Sequence, residues 1–327
     1  MMTKKMYVSF LSICFGLLTI VSLASVGQPA AAAENAMTHT VYLPIVRKPL
    51  DVAGRVVMVG YWNFNYDIYS MNADGSDVRR LTTTSDRVIN LNPTWSPDGS
   101  KVAFARFNNG TGREVGIYVM NADGSNLVRL TNSDGLGNDF APVWSPDGSK
   151  IAYFTTNNSA EQIVVMNSDG SNPQILTHWT YRSVAPHWSP DGSKLVYAST
   201  QGIEQNGRFE IFTMNPDGSN RQRLTHNPNA DDNAPRWSPD GSKISFYSYR
   251  NSQSATYVMN ADGSNVQQIP NIPLAVPAWS PTGNKLMFAA RPDATNNTEI
   301  YVVNIDGSDL TRITTTTNLL EDSPDWR

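Results

Sequence analysis

"WSPDGSK" runs from Trp95 to Lys101, and the same seven residues return from Trp144, Trp188 and Trp237. "WSPTGNK" from Trp279 is a looser copy, and Trp326 in the terminal "SPDWR" continues the series. In each copy the residues after tryptophan are turn chemistry. Proline presets the second turn position, aspartate bonds its own backbone, and glycine takes the left-handed position. The lysine then opens an alternating segment such as "KVAFAR" (Lys101–Arg106), the pattern of a half-buried strand. A phrase that spells strand end, turn and strand start describes architecture rather than a ligand site.

A second phrase runs out of step with the first. "MNADGS" begins at Met71, Met120 and Met259, "MNSDGS" at Met166, "MNPDGS" at Met214 and "VNIDGS" at Val303. These six copies are separated by 49, 46, 48, 45 and 44 residues, and the first five tryptophans by 49, 44, 49 and 42. A period in this range signals a solenoid or a propeller. The unit that starts at Pro93 reads as four short strands, "PTW", "KVAFAR", "GIYVMN" and "LVRLT", with the second phrase as the turn before the last. The prediction is an all-β, six-bladed β-propeller of four-stranded antiparallel blades over residues 54–327. The first unit has "RVVMVGYW", "DIYSMN" and "VRRLT" but no tryptophan strand, whereas the C-terminus is a tryptophan strand with nothing after it. Pairing the two closes the ring and leaves no open sheet edge.

The N-terminus reads differently. "MMTKK", an apolar run from Met6 to Val26 and "PAAAAENA" make residues 1–33 a cleaved signal peptide, with a membrane anchor as the competing reading. Residues 34–53 are then a linker. Cys14, the single cysteine, lies in the apolar run, so the mature chain depends on its core rather than on disulfides. Without residues 1–33 the chain carries 23 basic and 29 acidic residues, net −6, and no basic run. That distribution excludes the electrostatic footprint of a nucleic-acid binder. A secreted or periplasmic monomer without a membrane span after cleavage is expected.

"PVWSPDGSKIAYFT" (Pro142–Thr155) and "IYVMNADGSNLVRLT" (Ile117–Thr131) resemble the repeats of the TolB-like β-propeller family. The resemblance runs from about Arg55 to Arg327 and is specific for fold rather than function. TolB carries an α/β domain ahead of its propeller, and about twenty residues, Glu34–Ala53, stand in that place here. The resemblance therefore implies a propeller without that domain, and the Tol–Pal role is not carried over.

Catalytic phrases are missing from the sequence: no G-x-S-x-G elbow, no H-E-x-x-H, no phosphate-binding loop. His39, His178, His187 and His226 are dispersed, and the "N-x-D-G-S" glycine is fourth rather than sixth as a calcium loop requires. No resident cofactor is expected. Antiparallel order puts the recurring turns on one face and the variable segments, "NNGTGREV", "TTNNSAEQ", "TQGIEQNGRF", "YRNSQSA" and "RPDATNN", on the other, where binding is usually built. On that face Asp139, Asp232, Glu321 and Asp322, with Asp231 nearby, are expected at the mouth of a central channel. They read as a solvated acidic rim, or as a ring holding a basic side chain or a cation such as calcium.

Aromatic and arginine residues surround them: Tyr61, Trp62, Phe64, Tyr66, Phe107, Trp179, Tyr181, Arg182, Tyr249 and Arg250. Such side chains anchor protein interfaces and stack on sugars. The expected binding set is Asp139, Asp232, Glu321, Asp322, Trp62, Tyr66, Trp179, Tyr181 and Arg182. The expected function is an exported, non-catalytic scaffold for an envelope or extracellular protein or a cell-wall glycan. The alternative is a polysaccharide-active propeller enzyme of the lyase or glycosidase kind, with Asp139, Asp232 and His187 as its candidates.

Overall fold

The computed structural model describes residues 54–327 apart from 63–64, 85–87, 109–113, 133–136, 158–159, 179, 203–206, 251, 271, 273–275, 292–297 and 317–318. The expected signal peptide and linker, Phe64 and Trp179 lie outside the described residues, as does the side chain of Trp62. Every described element is a strand. The first group is β1 (Arg55–Trp62), β2 (Asn65–Asn72) and β3 (Arg79–Arg80). Four strands follow in each later group: β4 (Val88–Trp95) to β7 (Val128–Arg129), β8 (Asn138–Trp144) to β11 (Gln174–Ile175), and β12 (Ser183–Trp188) to β15 (Gln222–Arg223). Then come β16 (Ala230–Trp237) to β19 (Gln267–Gln268), β20 (Ala278–Trp279) to β23 (Thr311–Arg312), and a lone β24 (Leu320–Trp326).

Pairing within each group is antiparallel and sequential, which makes four-stranded units. The first and second units are also joined by one parallel pair, Tyr66 with Ile89. As the sequence predicts, β24 completes the first unit: Val56 pairs with Trp326 and Tyr61 with Leu320. The fourth strands are shorter than "LVRLT" suggests. In the second unit the Leu130 N–H reaches back to the Ile117 carbonyl (2.8 Å), and the Thr131 hydroxyl accepts the Ile117 N–H (2.9 Å). A side chain thus takes over the ladder and ends the strand after two residues.

The "SPDG" turn forms as its residues dictate. Gly99 N–H donates to the Ser96 carbonyl (2.9 Å), Ser100 N–H donates to Asp98 Oδ1 (3.0 Å), and Gly99 sits at φ +69°. The two turns of a unit lie at the same end, since Ala122 N–H donates to the Ser100 carbonyl (2.8 Å). The loops between second and third strands therefore lie at the other end.

The tryptophans that open the repeated phrase are 4–8% exposed. Trp95 packs among Val57, Val59 and Ile68 of the first unit and Val102, Phe104 and Met120 of its own. Trp279 packs in the same way among Val258 and Ile269 of the fifth unit and Leu286, Phe288 and Val303 of its own, so these indoles seal seams between neighbouring units. The outer ends of the seams are equally close. A Cβ on Gly124, at φ +88°, would stand 2.4 Å from the Leu81 carbonyl oxygen of the preceding unit. Gly75 of the first unit stands in the same relation to Ile313 of the last, at 2.8 Å.

A residue-level feature sets which way the inner strands present their side chains. Three residues before the tryptophan, Asn92, Ala141, Ala185, Ala234 and Ser323 adopt φ between +48° and +51°. At this point the register with the second strand slips in β4, β8, β12, β16 and β24. This is a β-bulge built on non-glycine residues in the left-handed region, a conformation held by its surroundings.

Candidate functional site

In a regular strand, residues four apart share a face. The bulge adds one residue and reverses that relation. Asn90, Asp139 and Glu321, five before their tryptophans, turn toward the preceding unit, and Asp325, just before Trp326, turns toward the following one.

The first of these positions holds Asn90, Asp139, Ser183, Asp232 and Glu321, all buried. Asn90 donates to the Tyr66 carbonyl (3.0 Å) and to Thr82 Oγ1 (3.2 Å) of the first unit. Asp139 is hydrogen-bonded by Thr131 and Thr155, and burial pushes its carboxyl up. Asp232 accepts from Ser248 Oγ (2.5 Å) and pairs with Arg250 (3.1 Å). Glu321 contacts the Thr314 hydroxyl, and burial, with the neighbouring Glu299, pushes it up to about 7. Asp139 and Glu321 therefore sit inside seams between units, and Asp232 is buried against the second strand of its own unit, so none of the three stands on an open rim. The bulge is the reason.

Asp322, one residue along, faces the opposite way and is only partly covered. Its carboxyl accepts the Ser323 N–H (2.6 Å), and burial in a protein-lined recess raises its pKa. Asp231 is half-buried, and its Oδ1 accepts the Phe209 N–H (2.8 Å). The five acids thus separate into buried seam groups and two partly open ones.

The aromatic set is also sorted. Tyr66 is half-buried against Tyr61, ring centroids 4.6 Å apart, and burial raises its hydroxyl pKa. Tyr181 and Tyr249 are the exposed aromatic side chains among the described residues, at 37% and 43%. Arg182, next to Tyr181, is held by Glu161 through two bonds (2.7 and 3.0 Å) and lies 4.8 Å over Phe209. Arg250 is committed to Asp232 and to the Tyr257 ring, 4.2 Å away.

A recurring polar group escaped the sequence reading. Asp67, Glu210 and Glu299 on third strands each meet an arginine thirteen residues on, Arg80 (2.5 Å), Arg223 (2.9 Å) and Arg312 (2.7 Å). Each also takes a hydroxyl from the threonine two residues further, Thr82, Thr225 or Thr314. The constant spacing from acid to "R-[L/I]-T" was the available signal.

The position before each tryptophan forms a second strip: Thr94, Val143, His187, Arg236, Ala278 and Asp325. Asp325 Oδ2 accepts the Trp95 N–H (2.9 Å), and His187 Nδ1 lies 3.4 Å from the Trp237 N–H. Burial and the nearby Arg236 push His187 down to about 3, so its ring is neutral. Arg236 of the fifth unit reaches Asp325 of the first at 3.5 Å, past the intervening sixth unit. Among the described residues, no three His, Cys, Asp or Glu side chains come together as a metal-ligand set.

Four-stranded units that seal one another through tryptophan seams, with inner strands converging, define a β-propeller. The sequence matches the family model of the TolB beta propeller domain over residues 53–202 and 117–275. The chain belongs to that family. Its fold is similar to that of TolB from Acinetobacter baumannii, with TM-score 0.70, 21% identity, 84% of this chain and 66% of that one. This chain therefore spans just under two thirds of that TolB. It is also similar to a chain of a nidogen/laminin complex (TM-score 0.66, 12% identity, 84% and 98% covered). A third similarity is to an oligogalacturonate lyase in complex with manganese (TM-score 0.56, 14% identity, 79% and 73% covered). No curated protein matches the sequence. At these identities the likenesses carry the fold alone.

Proposed function

We propose that the units close into one six-bladed ring and that the chain is an exported, non-catalytic binding scaffold. Closure is supported by β24 on β1 and by Gly75 against Ile313, which repeats the contact made at the other seams. Export rests on the apolar N-terminal segment of the sequence, and the protein acts as a monomer. Among the described residues no helix is long and apolar enough to cross a membrane.

The observation that carries the binding reading is the division of labour between the two ends of the blades. At one end the turns are alike and tied to each other. At the other the loops differ, and the exposed Tyr181 and Tyr249 lie there beside Arg182, which is fixed by Glu161. Rigidly held arginine with accessible tyrosine is the composition of an interface anchor. The site is Tyr181, Arg182, Trp62, Trp179, Tyr66 and Asp322, and the buried Asp139, Asp232 and Glu321 hold the inner strands beneath it. The partner is an envelope or extracellular protein, with cell-wall glycan as the second ligand class.

The test is capture from a cell-envelope extract, with purified cell-wall glycan as a parallel arm. A Trp62→Ala, Trp179→Ala, Tyr181→Ala triple variant that melts like the wild type should lose capture. Unchanged capture would place the site elsewhere. The similarity to a lyase keeps a polysaccharide-active enzyme as the second reading, but Asp139 and Asp232 are closed off by hydroxyl and arginine partners. Turnover on a polysaccharide panel that disappears in Asp232→Asn would reverse the ranking.

A further inference from the structure

Of the six residues that precede the tryptophans, two perform an evident structural task. Asp325 accepts the Trp95 N–H of the next blade, and His187 Nδ1 donates to the Trp188 carbonyl (3.1 Å). Arg236 has no acceptor to offer, because a guanidinium only donates. Yet it is partly buried, and that burial depresses its pKa. A buried cation is tolerated when its donors are met by acceptors. Among the described residues its side chain has one polar contact, the 3.5 Å approach to Asp325 Oδ1. That distance is beyond a hydrogen bond. Asp325 has commitments of its own, to the Trp95 N–H (2.9 Å) and the Thr94 hydroxyl (3.2 Å) through Oδ2.

Both side chains remain reachable, 23% exposed for Arg236 and 22% for Asp325. Each stands one residue before the tryptophan on an inner strand, where strands of the fifth and first blades approach each other. The same inner-strand position holds alanine (Ala278) in the blade between them and valine (Val143) in the third blade, neither of which carries a charge or a hydrogen-bonding group. The planar fork of an arginine matches two oxygens of one oxyanion.

We propose that Arg236 forms a small-oxyanion site in the central passage, at the end of the inner strands next to the repeated turns. It takes a carboxylate group or a free phosphate, with Thr94 and His187 as neutral neighbours and Asp325 as the competing internal anion. The proposal rests on the closed ring but not on the loop face, which lies at the other end of the same strands.

Thermal melts of the full chain in acetate, phosphate and chloride at matched ionic strength, followed by calorimetric titration with the better anion, test it. Acetate or phosphate should protect saturably at one site per chain, and chloride should not. Arg236→Gln should weaken that binding by about tenfold or more, as loss of a bidentate charged contact does. Arg236→Lys, which keeps the charge and loses the fork, guards against a fold defect and should also bind more weakly. Asp325→Asn keeps an acceptor for the Trp95 N–H and removes the competing charge, so it should bind more tightly. Protection that is absent, equal in chloride, or unchanged in both Arg236 variants would overturn the site and leave Arg236 a structural ion-pair partner. Acetate protection alone would assign a carboxylate ligand, and phosphate protection alone a phosphate.

Discussion

Replacing Glu321 by glutamine should stabilise this protein at neutral and alkaline pH. Glu321 lies on β24, the strand paired with β1, is 1% exposed, and its Oε1 has no hydrogen-bond partner among the described residues. Its Oε2 contacts the Thr314 hydroxyl, which is also 2.8 Å from Glu299 Oε2 and accepts the Ile300 N–H (2.9 Å). A hydroxyl has one proton, and it cannot donate to two carboxylates. Glu299 also accepts from Arg312 Nη2 (2.7 Å) and from the Thr316 N–H (3.1 Å), whereas Oε1 of Glu321 has no such donor. The extra proton therefore resides on Glu321.

Burial, Glu299 and the counteracting Arg312 set its pKa to about 7, against 4.5 in an open chain. A raised carboxyl pKa means that the folded state keeps a proton which the unfolded state has released. The stabilising effect is complete below pH 4.5 and declines as pH rises to about 7. The slope is about 1.4 kcal/mol per pH unit, so the loss amounts to roughly 3 kcal/mol. Above that pH both states are ionised and the difference stays constant. Glutamine keeps the shape and never ionises. Urea titrations at pH 5 and pH 8 should show Glu321→Gln close to wild type at the lower pH. At the higher pH it should be more stable by up to about 3 kcal/mol, or roughly 6 °C in Tm for a domain of this size. Comparing the two proteins cancels the other buried acids. Parallel stability curves for the two proteins would refute the shared-proton reading.

Three further outcomes are expected. Asp232→Asn breaks a buried pair with Arg250 and weakens the Ser248 contact. It should cost about 3 kcal/mol in chemical denaturation, and a loss under 1 kcal/mol would mean that the pair is dispensable. Gly124→Ala meets both a left-handed backbone and the Leu81 carbonyl at 2.4 Å. It should cost at least about 2 kcal/mol, measured by the same titration, whereas an equivalent change at the open Gly202 should cost about half as much. Deleting residues 320–327 strips β24 from β1 and leaves that edge of β1 unpaired. Size-exclusion chromatography and melting should show aggregation and a lost cooperative transition, and a monomer melting normally would argue against closure through this strand.

The strands, their turns and their approximate ends were legible in the sequence because they rest on local physics. Alternation exposes a period of two, and "SPDG" folds on its own hydrogen bonds, as Ser96, Asp98 and Gly99 show. Which of the candidate side chains stand open was not legible in the sequence. Tyr181 is exposed, whereas Arg182 and Arg250 are occupied by Glu161 and Asp232. Their acids lie 21 and 18 residues away in sequence, and only the strand pairing brings them within reach.

By itself the sequence determined the repeat, its four-strand content and the complementary fragments at its two ends, since each is written in neighbouring residues. Where Asp139, Asp232, Glu321 and Asp322 point was decided only by the tertiary structure. One extra residue at Asn92, Ala141, Ala185, Ala234 and Ser323 turns the inner strand over. The bulge is paired against a second strand and packed against a neighbouring blade, and without them nothing holds those residues in the left-handed region.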